Sequence, residues 1–150
     1  MLKSGDQAPA FTLLDQDENE VALSKLKGHK VLVYFYPKAD TPGCTTQACG
    51  LRDVLDDIGD TVVLGVSPDQ PSKQLKFAQK YNLGFQLLSD ADHETAEAFG
   101  VWGEKKNYGR TYMGIERSAF LVDEQGDVAE AWYKISPADT PTKLLAAVGP

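Results

Sequence analysis

The chain has 150 residues, enough to bury one substantial core, and a single domain over 1–150 is expected. Hydrophobic residues make up 42% and charged residues 25%, the balance of an ordinary globular protein. The formal net charge of −7 argues against nucleic acid as a main partner, because phosphate binding draws on clustered Lys and Arg, and it is read as a solvated surface instead.

The elements follow in chain order. Phe11-Thr12-Leu13-Leu14 reads as a short strand, Asp15–Glu20 as a polar turn, and Val21-Ala22-Leu23 as a partner that pairs back. Val31–Tyr36 is a continuous run of β-branched, aliphatic and aromatic residues, hence a buried central strand, ended by Pro37. After the loop Lys38–Gly43, apolar residues Ala48, Leu51, Leu55 and Ile58 recur at helical spacing and predict a helix over Cys44–Ile58, weakened by Gly50 and closed by Gly59-Asp60. Thr61–Val66 is a second buried strand, Pro71–Tyr81 a helix, Phe85–Leu88 a strand and Asp92–Phe99 a short helix. Arg117–Val122 and Val128–Tyr133 form a hairpin about the turn Glu124-Gln125-Gly126, and Thr140–Val148 is a final amphipathic helix. Strands alternating with helices, then a hairpin and a helix, imply an α/β protein: a thioredoxin-like sandwich with a mixed central β-sheet and helices on both faces.

The longest apolar runs have the length of strands and are too short to cross a bilayer, so no membrane partner is expected. Met1–Asp6 lacks the apolar core of a signal peptide, and a cytoplasmic location is expected. Two cysteines, Cys44 and Cys49, are fewer than a secreted disulfide scaffold would carry. Their spacing leaves redox chemistry, a metal site or chance open.

The informative segment runs from Tyr36 to Cys49, just past the carboxyl end of the central strand, where open α/β sheets place their ligand sites. Cys44 falls in the first turn of the predicted helix. Unpaired N–H groups and the positive end of the helix dipole favour thiolate over thiol there. A buried, inert cysteine is the alternative from position alone. Thr41 lies three residues earlier; its hydroxyl can donate to a thiolate and accept from a peroxide, or simply cap the helix. Pro37 has no N–H and can shield the sulfur from water, or only end the strand.

Pro37-x-x-x-Thr41-x-x-Cys44 resembles the active-site motif of the peroxiredoxins, and Phe35–Thr45 is similar to the bacterioferritin-comigratory-protein, or peroxiredoxin Q, branch. Ser89-Asp90, Phe99–Lys106 and Gly114–Asp123 match strings of that branch in the same order, so the resemblance spans about Gly5 to Val148. It implies a thiol peroxidase acting on hydrogen peroxide and organic hydroperoxides. Cys44 matches the peroxidatic cysteine, Cys49 the resolving cysteine and Arg117 the family's arginine, whose fork of N–H donors would hold thiolate and peroxide together. It further implies a Cys44–Cys49 disulfide, recycling by thioredoxin or a similar dithiol reductant, and no metal or cofactor; the branch includes monomers and dimers, and a monomer is expected here.

Zinc would need about four ligands, and beyond the two cysteines only His29 and His93 remain, both in polar turns. A thioredoxin-type reductase would carry Cys-x-x-Cys after this strand, which is absent. A non-enzymatic interaction module on a thioredoxin fold would leave peroxide untouched with its thiols reduced. Trp102 and Tyr112 flank family-like strings, so aromatic residues of that region are expected near Cys44, while Lys105-Lys106 reads as a solvated loop. The Pro-rich stretch Ile135–Pro141 is read as bearing on the last helix and not on the chemistry.

Overall fold

The structure, a computed structural model, describes residues 1–148; positions 149–150 of the expected domain lie outside the described residues. Its strands are β1 (Thr12–Asp15), β2 (Glu20–Ala22), β3 (Val31–Phe35), β4 (Val62–Ser67), β5 (Gln86–Ser89), β6 (Trp102–Asn107), β7 (Arg110–Ile115), β8 (Ser118–Val122) and β9 (Val128–Trp132). Its helices are α1 (Pro42–Asp53), α2 (Pro71–Tyr81), α3 (Glu94–Ala98) and α4 (Asp139–Val148).

Seven strands form one sheet in the order β2-β1-β5-β4-β3-β8-β9. β3 lies parallel to β4 and antiparallel to β8, so the sheet is mixed, and β3 is flanked on both sides as its unbroken apolar run requires. The pleat then sorts the residues of β3. Val31, Val33 and Phe35 face a core with Phe11, Ala96, Phe99 and Phe120. Leu32, Tyr34 and Tyr36 face the other core, with Cys44, Ala48 and Leu51 of α1, Phe77 of α2 and Leu144 of α4. Three helices therefore cover one face and α3 the other, the expected thioredoxin-like layering. Gly65 of β4 pairs with Tyr34, and a methyl group there would sit 2.8 Å from the Tyr34 hydroxyl, so only glycine leaves room for that ring.

Two sequence expectations change. The first helix starts at Pro42, not Cys44, and ends at Asp53, with a separate 3₁₀ turn over Leu55–Asp57. Proline is pre-organised for the first helical position, and Val54 at φ −108°, ψ 4° breaks the helix before Ile58. The second change is a separate two-stranded sheet, β6–β7, that the periodicity did not announce. Asn107 pairs with Arg110, leaving Tyr108-Gly109 as a two-residue loop in which both residues have positive φ, at 52° and 77°. Tyrosine is an unusual choice for that backbone, and the strands carry charges on both faces, so the usual hairpin signals are missing.

Candidate active site

β3 delivers the chain to the site. Tyr36 N–H still bonds the Val66 carbonyl at 3.0 Å; Pro37 then turns the chain away, half-buried, toward α1. Thr41 is the N-cap of α1 in extended conformation, at φ −98° and ψ 158°. Its hydroxyl does not cap the helix; it donates to the Lys38 carbonyl at 2.8 Å. That bond commits the Thr41 proton, so the expected donation to a thiolate gives way to an acceptor role only. The first helical bond is Thr45 N–H to Thr41 carbonyl at 2.8 Å, which leaves Gly43 and Cys44 N–H without an intrahelical acceptor.

Cys44 is thus the third residue of α1, 1% exposed, at the positive end of the helix dipole. One Nη of Arg117 lies 3.5 Å from its Sγ. Arg117 sits just before β8, the strand beside β3, and this antiparallel pairing carries it across to the sulfur. Arg117 forms no ion pair with the adjacent Glu116; the same Nη instead donates to Gln47 Oε1 at 2.8 Å. Gly43 lets the fork approach, since a methyl there would lie 3.0 Å from the other Nη. Cys49, half-buried, lies on the same helix, and both cysteines are free thiols.

The structure therefore brings Cys44, Thr41 and Arg117 to one helix end, adds Cys49 a turn and a half away, and adds Gln47, which sequence reasoning missed. Gln47 is fully buried on α1, and its only sequence signal was a polar residue at a core-facing helical position. The aromatic residues that pack with Cys44 are Tyr34 and Tyr36, not Trp102 or Tyr112. Trp102 belongs to the opposite core and stacks on His93 at 3.8 Å, and Tyr112 stands half-exposed on β7. Burial pushes both tyrosine hydroxyls well above the ordinary phenol range, so they remain neutral beside the sulfur. His29 pairs with Asp60 at 3.3 Å, and no cluster of metal-ligand type occurs among the described residues.

The loop between β3 and α1 is clamped at two points. Ala39 N–H donates to Asp69 Oδ2 at 2.7 Å, and Asp69 is held by Ser67, which in turn accepts from Gln74. Asp40, at φ 59°, accepts from Lys80 Nζ and from the Tyr81 hydroxyl, each at 2.9 Å. These two donors hold the Asp40 carboxyl below its ordinary value. A lowered carboxyl contributes fully above the unfolded value of about 3.9 and is lost only as pH falls through the folded one. The Asp40 carboxyl carbon should therefore titrate below that value by NMR, and Lys80→Ala should return it upward. A wild-type midpoint at or above the ordinary value would mean that the clamp does not persist in solution.

The AhpC/TSA family matches residues 4–131. The Bcp protein of Haemophilus influenzae is 59% identical over 141 residues, 92% of this chain and 90% of its own. The chain belongs to the AhpC/TSA family. Within that family it is a peroxiredoxin of the Bcp, or peroxiredoxin Q, branch, as its likeness to Escherichia coli peroxiredoxin Bcp also shows, with 56% identity over 85% of this chain and 83% of that one. The solved bacterioferritin comigratory protein of Xanthomonas campestris, described for its alkyl peroxide reduction activity, superposes with a TM-score of 0.87. It is 36% identical, with 92% of this chain and 89% of that chain covered. Peroxiredoxins of this family are thiol peroxidases, which need a peroxide to reduce and a reductant to restore them. No helix among the described residues is long and apolar enough to cross a membrane.

Proposed function

We propose that this peroxiredoxin reduces hydrogen peroxide and organic hydroperoxides with Cys44 as the attacking thiolate and Cys49 as the resolving thiol. The observation that carries the reading is the Arg117 N–H at 3.5 Å from Cys44 Sγ, on a sulfur already placed among the open amides of a helix start. The thiolate attacks one peroxide oxygen and the O–O bond breaks. Water or an alcohol leaves after taking a proton, and Cys44 becomes a sulfenic acid. Arg117, the open N–H groups of Gly43 and Cys44, and the acceptor oxygen of Thr41 would orient the peroxide and stabilise charge moving to the leaving oxygen. Pro37 would screen the sulfur from water. Cys49 thiolate then attacks the Cys44 sulfur, hydroxide leaves as water, and a disulfide forms. A dithiol protein such as thioredoxin supplies two electrons by exchange and restores both thiols. The single 1–150 domain acts as a monomer in the cytoplasm on this reading.

The disulfide requires a change of shape. Cys44 and Cys49 both lie within α1. Five residues of helix advance about 7.5 Å and turn about 140°, so the Cα atoms are about 8.7 Å apart with side chains diverging. Bridging needs roughly 7 Å or less. The first turns of α1 must therefore unwind after the sulfenic acid forms. Gly50 and the β-branched pair Thr45-Thr46 are weak helix formers and lower the cost. One equivalent of peroxide should remove both thiols and leave a monomer two hydrogens lighter. Amides of Thr45–Leu51 should then exchange faster than in the reduced protein. Retention of one thiol would overturn the Cys44–Cys49 pairing, and equal protection with the disulfide formed would overturn the unwinding.

A further inference from the structure

The Pro-rich stretch Ile135–Pro141, set aside at the level of sequence, lies directly against α1. A methyl group on Gly50 would meet Pro141 Cγ at 3.0 Å, and one on Gly43 would meet Pro137 Cγ at 3.5 Å. These two glycines are the residues just before Cys44 and just after Cys49. Between them, Gln47 reaches the same segment. Its Nε2 donates to Thr140 Oγ1 at 2.9 Å, and the Thr140 hydroxyl donates to the Ser136 carbonyl at 3.0 Å. The other end of Gln47 accepts from Arg117, whose backbone carbonyl accepts from Ile135 N–H at 3.0 Å. Gln47 and Thr140 are both fully buried.

We propose that Thr140 is a positioning residue that, through Gln47, holds Arg117 on the Cys44 sulfur and keeps α1 wound, and so sets how long the sulfenic acid waits for Cys49. The inference rests on the intramolecular disulfide proposed above. Its physical basis is that the wound helix keeps both ends of the buried Gln47 amide bonded. α1 cannot unwind between the two cysteines without pulling Gln47 off Thr140 and off Arg117, and without leaving the faces of Pro137 and Pro141. Proline fixes its own φ, which makes those faces a stiff wall rather than a yielding one. The peroxide step uses the wound helix, with Arg117 on the sulfur; resolution uses the unwound one. Thr140 touches no reacting atom, yet the bond it makes exists only in the first of these states.

Thr140→Val removes that bond and keeps the shape. In the wound state Gln47 Nε2 then has no acceptor, whereas in the unwound state water satisfies it. Leaving that buried donor unsatisfied shifts the balance toward the unwound helix by at least about five-fold. Capture of the sulfenic acid by Cys49 should speed up by about that factor. The competing reaction is attack of a second peroxide on the sulfenic acid, which yields sulfinic acid and one further water or alcohol. The peroxide concentration that converts half of Cys44 to sulfinic acid should accordingly rise by the same factor. Thr140→Ser, which keeps the hydroxyl, should restore both readouts, and Pro141→Ala should shift them in the same direction by about two-fold.

The test is rapid mixing with graded peroxide, with disulfide and sulfinic acid counted by intact mass and melting temperature measured on each variant. A role in folding alone would lower the melting temperature and leave the disulfide-to-sulfinate ratio where wild type has it. That result in Thr140→Val and Pro141→Ala would overturn the proposal. The wild-type arm separates this failure from failure of the reading beneath it: absence of any Cys44–Cys49 disulfide in wild type would remove that reading, whatever the variants do.

Discussion

Cys44→Ser should abolish peroxide turnover, down to the rate of buffer with reductant. The substitution changes one atom. Cys44 is 1% exposed and packed among Tyr34, Tyr36, Ala48 and Leu51, and a serine hydroxyl fits that space, so the fold survives. What disappears is the nucleophilic sulfur and its ability to accept an oxygen atom. Cys49 cannot stand in. It lies about a turn and a half further along α1, away from the open helix start and without the Arg117 fork that reaches Cys44. Direct measurement of peroxide consumption with reductant present checks this. Turnover near the wild-type rate in Cys44→Ser would mean that another group attacks the peroxide, and the assignment of the site would fall.

Arg117→Ala should slow the peroxide step by about 10²–10³-fold, the usual cost of losing one preorganised donor aimed at developing charge. Two donations from one Nη tie the guanidinium down, to Cys44 Sγ at 3.5 Å and to Gln47 Oε1 at 2.8 Å. The fork is therefore fixed before the substrate arrives. The same geometry means that removing Arg117 also touches folding. The variant leaves the buried Gln47 oxygen without its donor, at a cost of about 1–3 kcal/mol, so rates should be compared at a temperature where both proteins are folded. Arg117→Lys keeps the charge but has no fork to serve sulfur and Gln47 together, and should fall between the two. Stopped-flow measurement of sulfenic acid formation reads the step in isolation. A wild-type rate in Arg117→Ala would show that the helix start alone activates the sulfur.

Much of this was legible in the amino-acid order, and for local reasons. The run Val31–Phe35 could only be a strand buried on both faces, and it is the strand between β4 and β8. Pro71–Tyr81 carries proline at its first position and ends at Asn82 with φ 52°, start and stop signals that its bounds obey. The position of Cys44 in the first turn of a helix after a central strand is likewise a matter of neighbours in sequence. Each of these follows from preferences that a few adjacent residues settle among themselves.

What only the tertiary structure decided lies between residues far apart in the chain. Arg117 is 73 positions from Cys44, and nothing local distinguishes it from a surface arginine; the antiparallel pairing of β8 with β3 puts its side chain at the sulfur. Gln47 is locally no more than a polar residue within a helix, and becomes the link between Arg117 and Thr140, 93 positions away, only when α4 packs on α1. Thr41 reads locally as a capping residue, yet its proton is committed to Lys38, because the loop held by Asp69, Lys80 and Tyr81 brings that carbonyl within reach. The β6–β7 hairpin escaped notice since its register comes from two positive-φ residues rather than from an alternating apolar face. Sequence alone determined most of the elements and the place of Cys44 in the first turn of a helix, where the physics is backbone preference and hydrophobic period. Folding decided which donors meet the sulfur and what holds the helix wound, because those bonds depend on how separate elements pack and carry no periodic signature of their own.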